Sequence, residues 1–232
     1  MPEYLLFLDT EASGLPKNWE LPYSAPNNWP FCVQVSWILY KKDGQKLKQE
    51  NHYVIEPDFK IEKSATKIHG ITLSFLQKNG QSRKEVMKML ADDVIEYHPL
   101  VIGHFMEFDF HMIAVDFYRT GIENPVKSEM TFCTMGATTH LVKNPVKKFF
   151  KLGELYEALF GLPLMDQHNA LVDAKATAEC FFELVKRGEI SDQTIALQQK
   201  KEVTSETENK GVGCTLPMLL IGSLIFLIFY YL

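Results

Sequence analysis

Four acidic residues and one histidine, placed in three short motifs, are the side chains of this 232-residue chain best suited to catalysis. The first motif closes an apolar run with Asp9, Thr10 and Glu11, before Gly14 and Pro16 interrupt it. Alternate side chains of a β-strand share a face, so Asp9 and Glu11 are expected to point the same way at the carboxyl end of a strand. Neighbouring carboxylates repel each other unless a cation lies between them, and the motif therefore predicts a metal site.

The ligand type also predicts the ion. All-oxygen ligation favours magnesium or manganese over zinc, which prefers nitrogen and sulfur ligands. Asp9 and Glu11 alone fit a solvated strand end equally well. The prediction of a metal site therefore depends on the other two motifs.

The second motif follows a predicted buried strand near 99–103 and opens a predicted helix. Asp109 falls in the first turn of that helix, where a carboxylate either ligates a metal ion or complements the helix dipole. Glu107 is a second acid of the same turn and a natural decoy for the ligand. Position alone does not decide between the two roles of Asp109.

The third motif contains His168 and Asp173 and is followed by a predicted helix that ends near residue 187. Inside one helix, a separation of five residues would leave the two side chains roughly 140° apart, because a helix has 3.6 residues per turn. The pair converges if His168 lies on the loop before the helix and Asp173 lies inside it, with Asn169 or a neighbour as the N-cap.

Together, the three motifs resemble those of the DEDDh group of 3′-to-5′ exonucleases, which includes the epsilon-type proofreading domains of polymerases and the three-prime repair exonucleases. The resemblance spans about residues 1 to 188. It includes a fourth segment, Ala65 to Thr72, which is similar to the family's segment between the third strand and the first long helix. The family's fold is α/β and ribonuclease H-like.

The resemblance implies a metal-dependent 3′-to-5′ exonuclease that releases nucleoside 5′-monophosphates, with DNA favoured over RNA as the partner. Two divalent ions, Mg²⁺ or Mn²⁺, about 4 Å apart would clamp the scissile phosphate. A histidine with a pKa near 6.5 can accept the proton of the attacking water at neutral pH. His168 is the implied general base, and the implied metal ligands are Asp9, Glu11, Asp109 and Asp173.

The same resemblance predicts substrate contacts. In the family, the Gly-Leu pair after the first motif lies against the terminal nucleotide, which makes Gly14 and Leu15 candidates for substrate binding. His69 and His104 lie where the resemblance places side chains near the site, although a structural role is commoner for any one histidine. Phe105 stands where the family usually carries Asn, so we expect altered handling of the substrate. This departure leaves a second function open, a catalytically weak nucleic-acid-binding or polymerase-associated adaptor on the same fold.

The elements that must position these residues follow from hydrophobic periodicity and turn signals. Strands are predicted near 4–9, 31–40, 46–55, 99–103 and 130–133. Helices are predicted near 64–69, 72–78, 82–97, 105–120, 134–142, 152–160 and 169–187. Three early strands followed by alternating helices and strands predict a mixed five-stranded sheet flanked by helices.

Two surface segments have two interpretations each. The segment from Pro16 to Pro30 carries Trp19, Tyr23 and Trp29, and such a long loop is either a rim that stacks on terminal bases or a rigid flap over the sheet edge. The chain has a net charge of −5, so nucleic-acid binding would depend on a local basic patch. That patch, which is otherwise a solvated turn, consists of Lys143, Lys147, Lys148 and Lys151, interleaved with Phe149 and Phe150.

The organisation of the chain predicts three parts: a catalytic domain over 1–190, a flexible polar linker over 191–215 and a hydrophobic tail over 216–232. As a helix the tail would span about 26 Å, at the short end of what crosses a bilayer. We expect a C-terminal transmembrane anchor that keeps the catalytic domain on the cytoplasmic side, since no signal peptide is apparent. The competing interpretation is a hydrophobic helix packed on the domain. No feature identifies a protein partner.

The cysteines predict a reducing compartment. They have no Cys-x-x-Cys or zinc-ligand spacing, and most fall in apolar elements, as expected for reduced thiols of a cytosolic domain. They are Cys32, Cys133, Cys180 and Cys214.

Overall fold

A mixed five-stranded sheet organises the chain, with the strands in the order β3-β2-β1-β4-β5. The computed structural model describes residues 1–57 and 60–199. The central strand β1 pairs antiparallel with β2 and parallel with β4, which confirms the predicted mixed sheet. The outer pairs are β2 with β3, antiparallel, and β4 with β5, parallel. The strands are β1 (Tyr4–Ala12), β2 (Cys32–Lys41), β3 (Lys46–Tyr53), β4 (Leu100–Gly103) and β5 (Thr131–Cys133).

Helices cover both faces of this sheet. They are α1 (Lys63–His69), α2 (Leu73–Asn79), α3 (Arg83–Tyr97), α4 (Met106–Thr120), α5 (Thr134–Ala137), α6 (Leu152–Phe160) and α7 (Ala170–Lys186). The single helix predicted over 134–142 is wrong: it is a short α5 followed by a separate 3₁₀ turn at Thr139–Leu141. Thr138 interrupts the helix, because its backbone leaves the helical region while its hydroxyl donates to the Thr134 carbonyl at 2.9 Å.

The alternation of side chains on β1 divides the core into two layers. Leu6 and Leu8 point into a cluster that includes the buried residues of α3 and α4. Leu5 and Phe7 point to the opposite face, into a cluster with α6 and α7. Helices therefore pack against both faces of β1, and the last residues of this strand can contact groups from either layer.

The proline-rich segment between β1 and β2 packs on α4. Trp29 is 4% exposed and stacks on His111, with ring centres 5.2 Å apart and planes inclined by 22°. The Tyr23 hydroxyl pairs with Nδ1 of the same histidine at 3.0 Å. The guanidinium of Arg119 donates to the carbonyls of Trp29 and Pro30, at 2.7 and 2.6 Å. These contacts support the rigid flap, which covers a helix instead of a sheet edge.

The folded part continues past the predicted boundary at residue 190. Residues 192–199, here called the C-terminal helical segment, are helical, and Ile195 within them is 4% exposed in the cluster below α7. The side-chain amide of Gln198 accepts from the Cys133 N–H and donates to the Cys133 carbonyl, both at 2.9 Å. The first residues of the predicted linker, 192–199, are therefore helical and packed on the domain, and the rest of it, 200–215, lies outside the described residues.

The tail predicted over 216–232 lies outside the described residues. Within the described ranges, none of the helices is long and apolar enough to cross a bilayer. The thiols of Cys32 and Cys180 are buried and free, as expected for reduced cysteines.

Ile195→Ala should lower the free energy of unfolding by about 2 kcal/mol, because removal of the side chain leaves a cavity in the core cluster that this segment shares with α6 and α7. Leu197→Ala is the matched control two residues away: its side chain is 57% exposed. That change should stay within about 0.5 kcal/mol of the parent. Denaturant unfolding of the three proteins measures both values, and equal stability of the two variants would mean that this segment is not part of the core.

Candidate active site

The site is centred on the carboxyl end of β1, which runs three residues further than the predicted strand. Asp9 and Glu11 both lie in this strand, opposite Ser36 and Gln34 of β2. They share the face of Leu5 and Phe7, the face against which α7 packs. The third acid on this face, Asp173, comes from α7 itself.

Asp109 reaches the same place from the other layer. It lies in the first turn of α4 and is 3% exposed. Its Oδ1 accepts two hydrogen bonds from Thr10, one from the backbone N–H at 2.9 Å and one from the hydroxyl at 2.8 Å. Thr10, which lies between Asp9 and Glu11 in β1, therefore holds Asp109 of α4 in position.

A glycine makes this approach possible. Gly103 ends β4 beside β1, and a Cβ atom there would lie 3.3 Å from Oδ2 of Asp109 and 3.0 Å from the sulfur of Met106. Both distances are tighter than normal contacts, so a side chain at this position would push the start of α4 away from the sheet. Sequence analysis missed Gly103, although a glycine at the end of a buried strand is a signal of close backbone approach.

The third motif has the geometry that its spacing predicts. His168 lies on the loop before α7 with a positive φ of 63°, and Asn169 is the N-cap of the helix. The backbone N–H of His168 donates to Oδ2 of Asp173 at 3.0 Å. The imidazole and the carboxylate therefore converge, because only one of the two residues is helical.

Gln34 fixes the start of α7 to the sheet and was also missed. Its side chain is 1% exposed, donates to Oδ1 of Asn169 at 3.2 Å and accepts from the Ala170 N–H at 3.2 Å. A third bond, to Oδ1 of Asn51 at 2.8 Å, ties the amide to β3. Gln34 lies opposite Glu11 in the paired strands β2 and β1. The side-chain amide of Gln34 therefore fixes the position of α7 relative to the acids of β1. A glutamine inside an apolar strand is the signal that could have identified it.

The donor set fits a metal ion. One ligand atom from each of Glu11, His168 and Asp173 can be chosen so that all three lie within 4.8 Å of one another. Oδ1 of Asp173 is buried and has no hydrogen-bond partner among the described residues. A buried carboxylate oxygen without a donor is costly, and a cation would satisfy it.

Burial is the largest cause that raises the pKa of the four acids, and repulsion from neighbouring carboxylates adds to it for Asp9, Glu11 and Asp109. Burial, followed by the charges of Asp173 and Asp109, raises the pKa of Glu11 to about 8. Burial raises the pKa of Asp109 to about 7 against the opposing hydrogen bonds from Thr10, and that of Asp173 to about 6 against the His168 N–H. The pKa of Asp9 is raised by desolvation and then by the other three carboxylates.

His168 titrates in the opposite direction. Partial burial, and then the positive charge of Lys151, lowers the pKa of its imidazole below the usual value. The ring is therefore neutral at neutral pH and can accept a proton. Lys151 belongs to the predicted basic patch, so at least one charge of that patch acts on the pKa of the imidazole.

The other predicted site residues differ in what surrounds them. Both ring nitrogens of His104 have protein partners, the Thr134 hydroxyl and the Phe150 carbonyl, each at 2.9 Å, and burial lowers its pKa to about 4. These contacts favour a structural role. His69 accepts from the Ile71 N–H through Nδ1 at 2.9 Å, and burial lowers its pKa as well.

Gly14 and Leu15 follow the first motif directly. A Cβ on Gly14 would lie 2.7 Å from the carboxyl group of Glu62, so a larger residue would require this exposed side chain to move. Leu15 is 41% exposed beside the end of β1. Leu15 is therefore available to a bound molecule, and substrate contact by both residues stays a prediction.

Comparison with known proteins agrees with this arrangement. The family described as Exonuclease (RNase_T) matches residues 6–181. E. coli exonuclease I in complex with a dT13 oligonucleotide has a TM-score of 0.65 and 18% identity, over 79% of this chain and 41% of that one. The zinc-bound complex of the same E. coli enzyme with single-stranded DNA has a TM-score of 0.63 and 16% identity, over 81% and 41% of the two chains.

This chain thus spans about two fifths of the length of the structures that it matches. At these identities the likeness establishes the ribonuclease H-like exonuclease fold that the sequence predicts. No curated protein matches the sequence.

The raised pKa values predict how stability depends on pH. Each carboxyl keeps its proton in the folded protein above the pH at which the unfolded chain loses it, about pH 4. In EDTA, the melting temperature should therefore fall as the pH rises from 5.5 to 8.5. Addition of Mg²⁺ or Mn²⁺ should raise the melting temperature, and this rise should become larger over the same pH range, because the acids lose their protons and can bind the metal.

Glu11→Gln should flatten both trends, because it removes the acid whose pKa is raised to about 8. Asp166→Asn is the matched control: Asp166 is exposed on the loop before His168 and has a positive φ that Asn tolerates. Thermal unfolding in EDTA and in each metal measures the effect. If metal raises the melting temperature by the same amount at pH 5.5 and at pH 8.5, the result would contradict a carboxylate metal site.

Proposed function

The chain belongs to the exonuclease family, and we propose that it hydrolyses DNA from the 3′ end with two divalent ions, Mg²⁺ or Mn²⁺, and releases nucleoside 5′-monophosphates. The observation that supports this function best is the convergence of four carboxylates and one imidazole from three separate elements at the end of β1. Asp9 and Glu11 come from the strand, Asp109 from α4, and His168 with Asp173 from the start of α7.

The proposed division of labour follows from the chemistry of the side chains. The four carboxylates, Asp9, Glu11, Asp109 and Asp173, would hold the ions, and Asp9 is the residue that would contact both. Bound divalent ions polarise a phosphodiester and stabilise the charge that develops on its oxygens. His168 would take the proton of the attacking water, because its imidazole is half exposed at the site and its lowered pKa keeps it neutral.

Single-stranded DNA is the proposed substrate. E. coli exonuclease I, with which this chain shares its fold, has been solved with dT13 and with single-stranded DNA. The basic patch contributes a second argument, because the positive charge of Lys151 acts on His168. Lys151 would contact the phosphates of a strand whose 3′ end lies on the carboxylates. The adaptor function has less support, because an adaptor does not need all five catalytic residues to converge.

We also propose that residues 216–232 anchor the protein in a membrane, with the exonuclease domain on the cytoplasmic side. The support is the sequence: the segment is uncharged, and Lys200, Lys201 and Lys210 precede it while Tyr230 and Tyr231 lie near its end. Because residues 192–199 are helical, the proposed linker would span 200–215. Such a tether would keep the active site close to the membrane surface.

Asp9→Asn should reduce hydrolysis by about 10³-fold or more, since a lost metal ligand removes several kcal/mol of charge stabilisation. His168→Ala should reduce it by about 10²- to 10⁴-fold, the usual contribution of a general base. A 5′-labelled oligonucleotide incubated with Mg²⁺ or Mn²⁺ measures both, as a ladder that shortens from the 3′ end.

Glu107→Gln is the matched control, because Glu107 is an exposed acid in the same helical turn as Asp109. This variant should degrade the oligonucleotide at the parent rate. An oligonucleotide left intact by the parent protein in both metals would refute the exonuclease proposal.

Deletion of residues 216–232 should move the protein from the membrane fraction to the soluble fraction and leave its nuclease activity unchanged. Leu224→Arg should have the same effect on fractionation, because a charge at the centre of a spanning helix costs about 3 kcal/mol or more. Fractionation and the oligonucleotide assay give the two results. If the deletion variant aggregates and loses activity, the tail is part of the core and is not an anchor.

A further inference from the structure

A cavity of about 380 Å³ lies beside α7, on the sheet face that α6 and α7 cover. Its lining comes from three elements, the end of β2, the end of α6 and the second half of α7. Three aromatic and three charged side chains form it: Tyr40, Phe160, Glu179, Phe182, Glu183 and Lys186. We call it the aromatic cavity.

The aromatic cavity lies at the opposite end of β1 from the carboxylates. In β2, Ser36 pairs with Asp9. Tyr40, four residues further along the same strand, pairs with Leu5. Four residues of a strand span about 13 Å, so the cavity is separate from the active site.

The aromatic rings are fixed in place. The ring centres of Tyr40 and Phe182 are 5.3 Å apart, and their planes are inclined by 64°, so the two rings form a corner. The fully buried Phe7 supports both from the core, 5.6 Å from Tyr40 and 5.7 Å from Phe182. Phe160, the third ring, packs on Tyr156 with centres 4.7 Å apart. A surface that is ordered in advance loses little conformational entropy on binding.

A carboxylate lies among these rings. Glu179 accepts a hydrogen bond from the Tyr156 hydroxyl through Oε2 at 2.9 Å. Burial, and then the charge of Glu179, raises the pKa of the Tyr40 phenol, so the carboxylate acts on a second ring as well. The ion pair of Glu179 with the exposed Lys175 is long, at 3.7 Å. Such a surface pair contributes little energy, and Glu179 keeps most of its attraction for another cation.

The lysine of the cavity leaves the ring faces open. Lys186 is 79% exposed, and its ammonium lies 3.5 Å from Glu183. The cation–π contacts among the described residues are both made with Phe31, so Lys186 lies over none of the cavity's rings. Arg187 also pairs with Glu183, at 2.8 Å. Glu179 is therefore the acid that a bound cation would meet.

This lining suits one type of cation. The negative face of an aromatic ring attracts a cation, and rings that surround it replace its hydration. A primary ammonium has three N–H donors and is strongly hydrated, so it needs several acceptors. A trimethylammonium group has no donors, and aromatic faces with one nearby carboxylate satisfy it. Three rings and Glu179 therefore favour a quaternary ammonium.

We propose that the aromatic cavity binds the trimethylammonium group of choline or of a choline ester, against the rings of Tyr40 and Phe182 and opposite Glu179. Free choline and the phosphocholine head group of a lipid both carry this group. The site uses none of the active-site residues, and it goes beyond the proposed exonuclease function.

The first test compares choline with its uncharged analogue, in which a tert-butyl group of the same shape replaces the trimethylammonium group. Isothermal titration calorimetry on the full chain, in a maltoside detergent without an ammonium group, measures the dissociation constants. Choline should bind at least about tenfold more tightly than the analogue, because only choline gains the cation–π contacts. Phosphocholine is titrated separately: tighter binding than choline indicates a lipid head group, and weaker binding indicates a free choline compound.

Variants then identify the site. Tyr40→Leu and Phe160→Leu should each weaken choline binding by about threefold or more, because each removes a ring and keeps apolar volume. Glu179→Gln should weaken it by a similar factor and still accept the hydrogen bond from Tyr156. Tyr118→Leu is the matched control and should bind like the parent, since Tyr118 is a 55% exposed aromatic residue on α4.

The conservative change Tyr40→Phe keeps the ring and should bind choline like the parent. The proposal fails if choline binds the parent no better than the uncharged analogue does, a result that depends on no variant. It also fails if Tyr40→Leu, Phe160→Leu and Glu179→Gln melt like the parent and bind choline as tightly. All of these variants should hydrolyse the oligonucleotide at the parent rate. A parent protein that binds choline as expected but hydrolyses nothing would refute the exonuclease proposal and support this site.

Discussion

Repulsion among four carboxylates at the end of one strand is the constraint on which the rest of the structure depends. Burial raises the pKa of all four acids, and the charges of Glu11, Asp109 and Asp173 each raise the pKa of at least one other acid. The fold holds this unfavourable arrangement with contacts that lie outside it: Thr10 binds Asp109, and Gln34 fixes the start of α7. The two core layers stabilise the strand that carries these acids, and a bound cation would relieve the repulsion among them. Stability and chemistry therefore make opposite demands on the same few residues.

The sequence was sufficient where local geometry decides the outcome. Asp9 and Glu11 share a face because strands alternate, and His168 converges with Asp173 because a five-residue step works only across a helix start. It was insufficient where contacts are long-range. Asp109 depends on Thr10, which is 99 residues away in the chain. No periodicity reports such a contact, and for the same reason Gln34 and Gly103 were overlooked.

The errors have a similar origin. The pattern over 134–142 is helical, but the helix ends where the backbone of Thr138 leaves the helical region, while its hydroxyl and its N–H both donate to the Thr134 carbonyl. Residues 192–199 are mostly polar and resemble a linker, yet the buried Ile195 and the amide of Gln198 bind them to the domain. Composition averages over a window, whereas docking depends on a few side chains. A segment with one anchor and several polar residues therefore looks unstructured in sequence.

The amide of Gln198 has a consequence for how the molecule behaves among its own copies. Strand β5 is one of the two edge strands of the sheet, and its free edge would offer unpaired N–H and C=O groups to any extended chain nearby. Gln198 supplies to Cys133 the donor and acceptor that another strand would supply. The C-terminal helical segment thus protects the sheet from intermolecular strand addition. A chain cut before this segment would keep its active-site residues and expose an edge on which a second molecule could assemble.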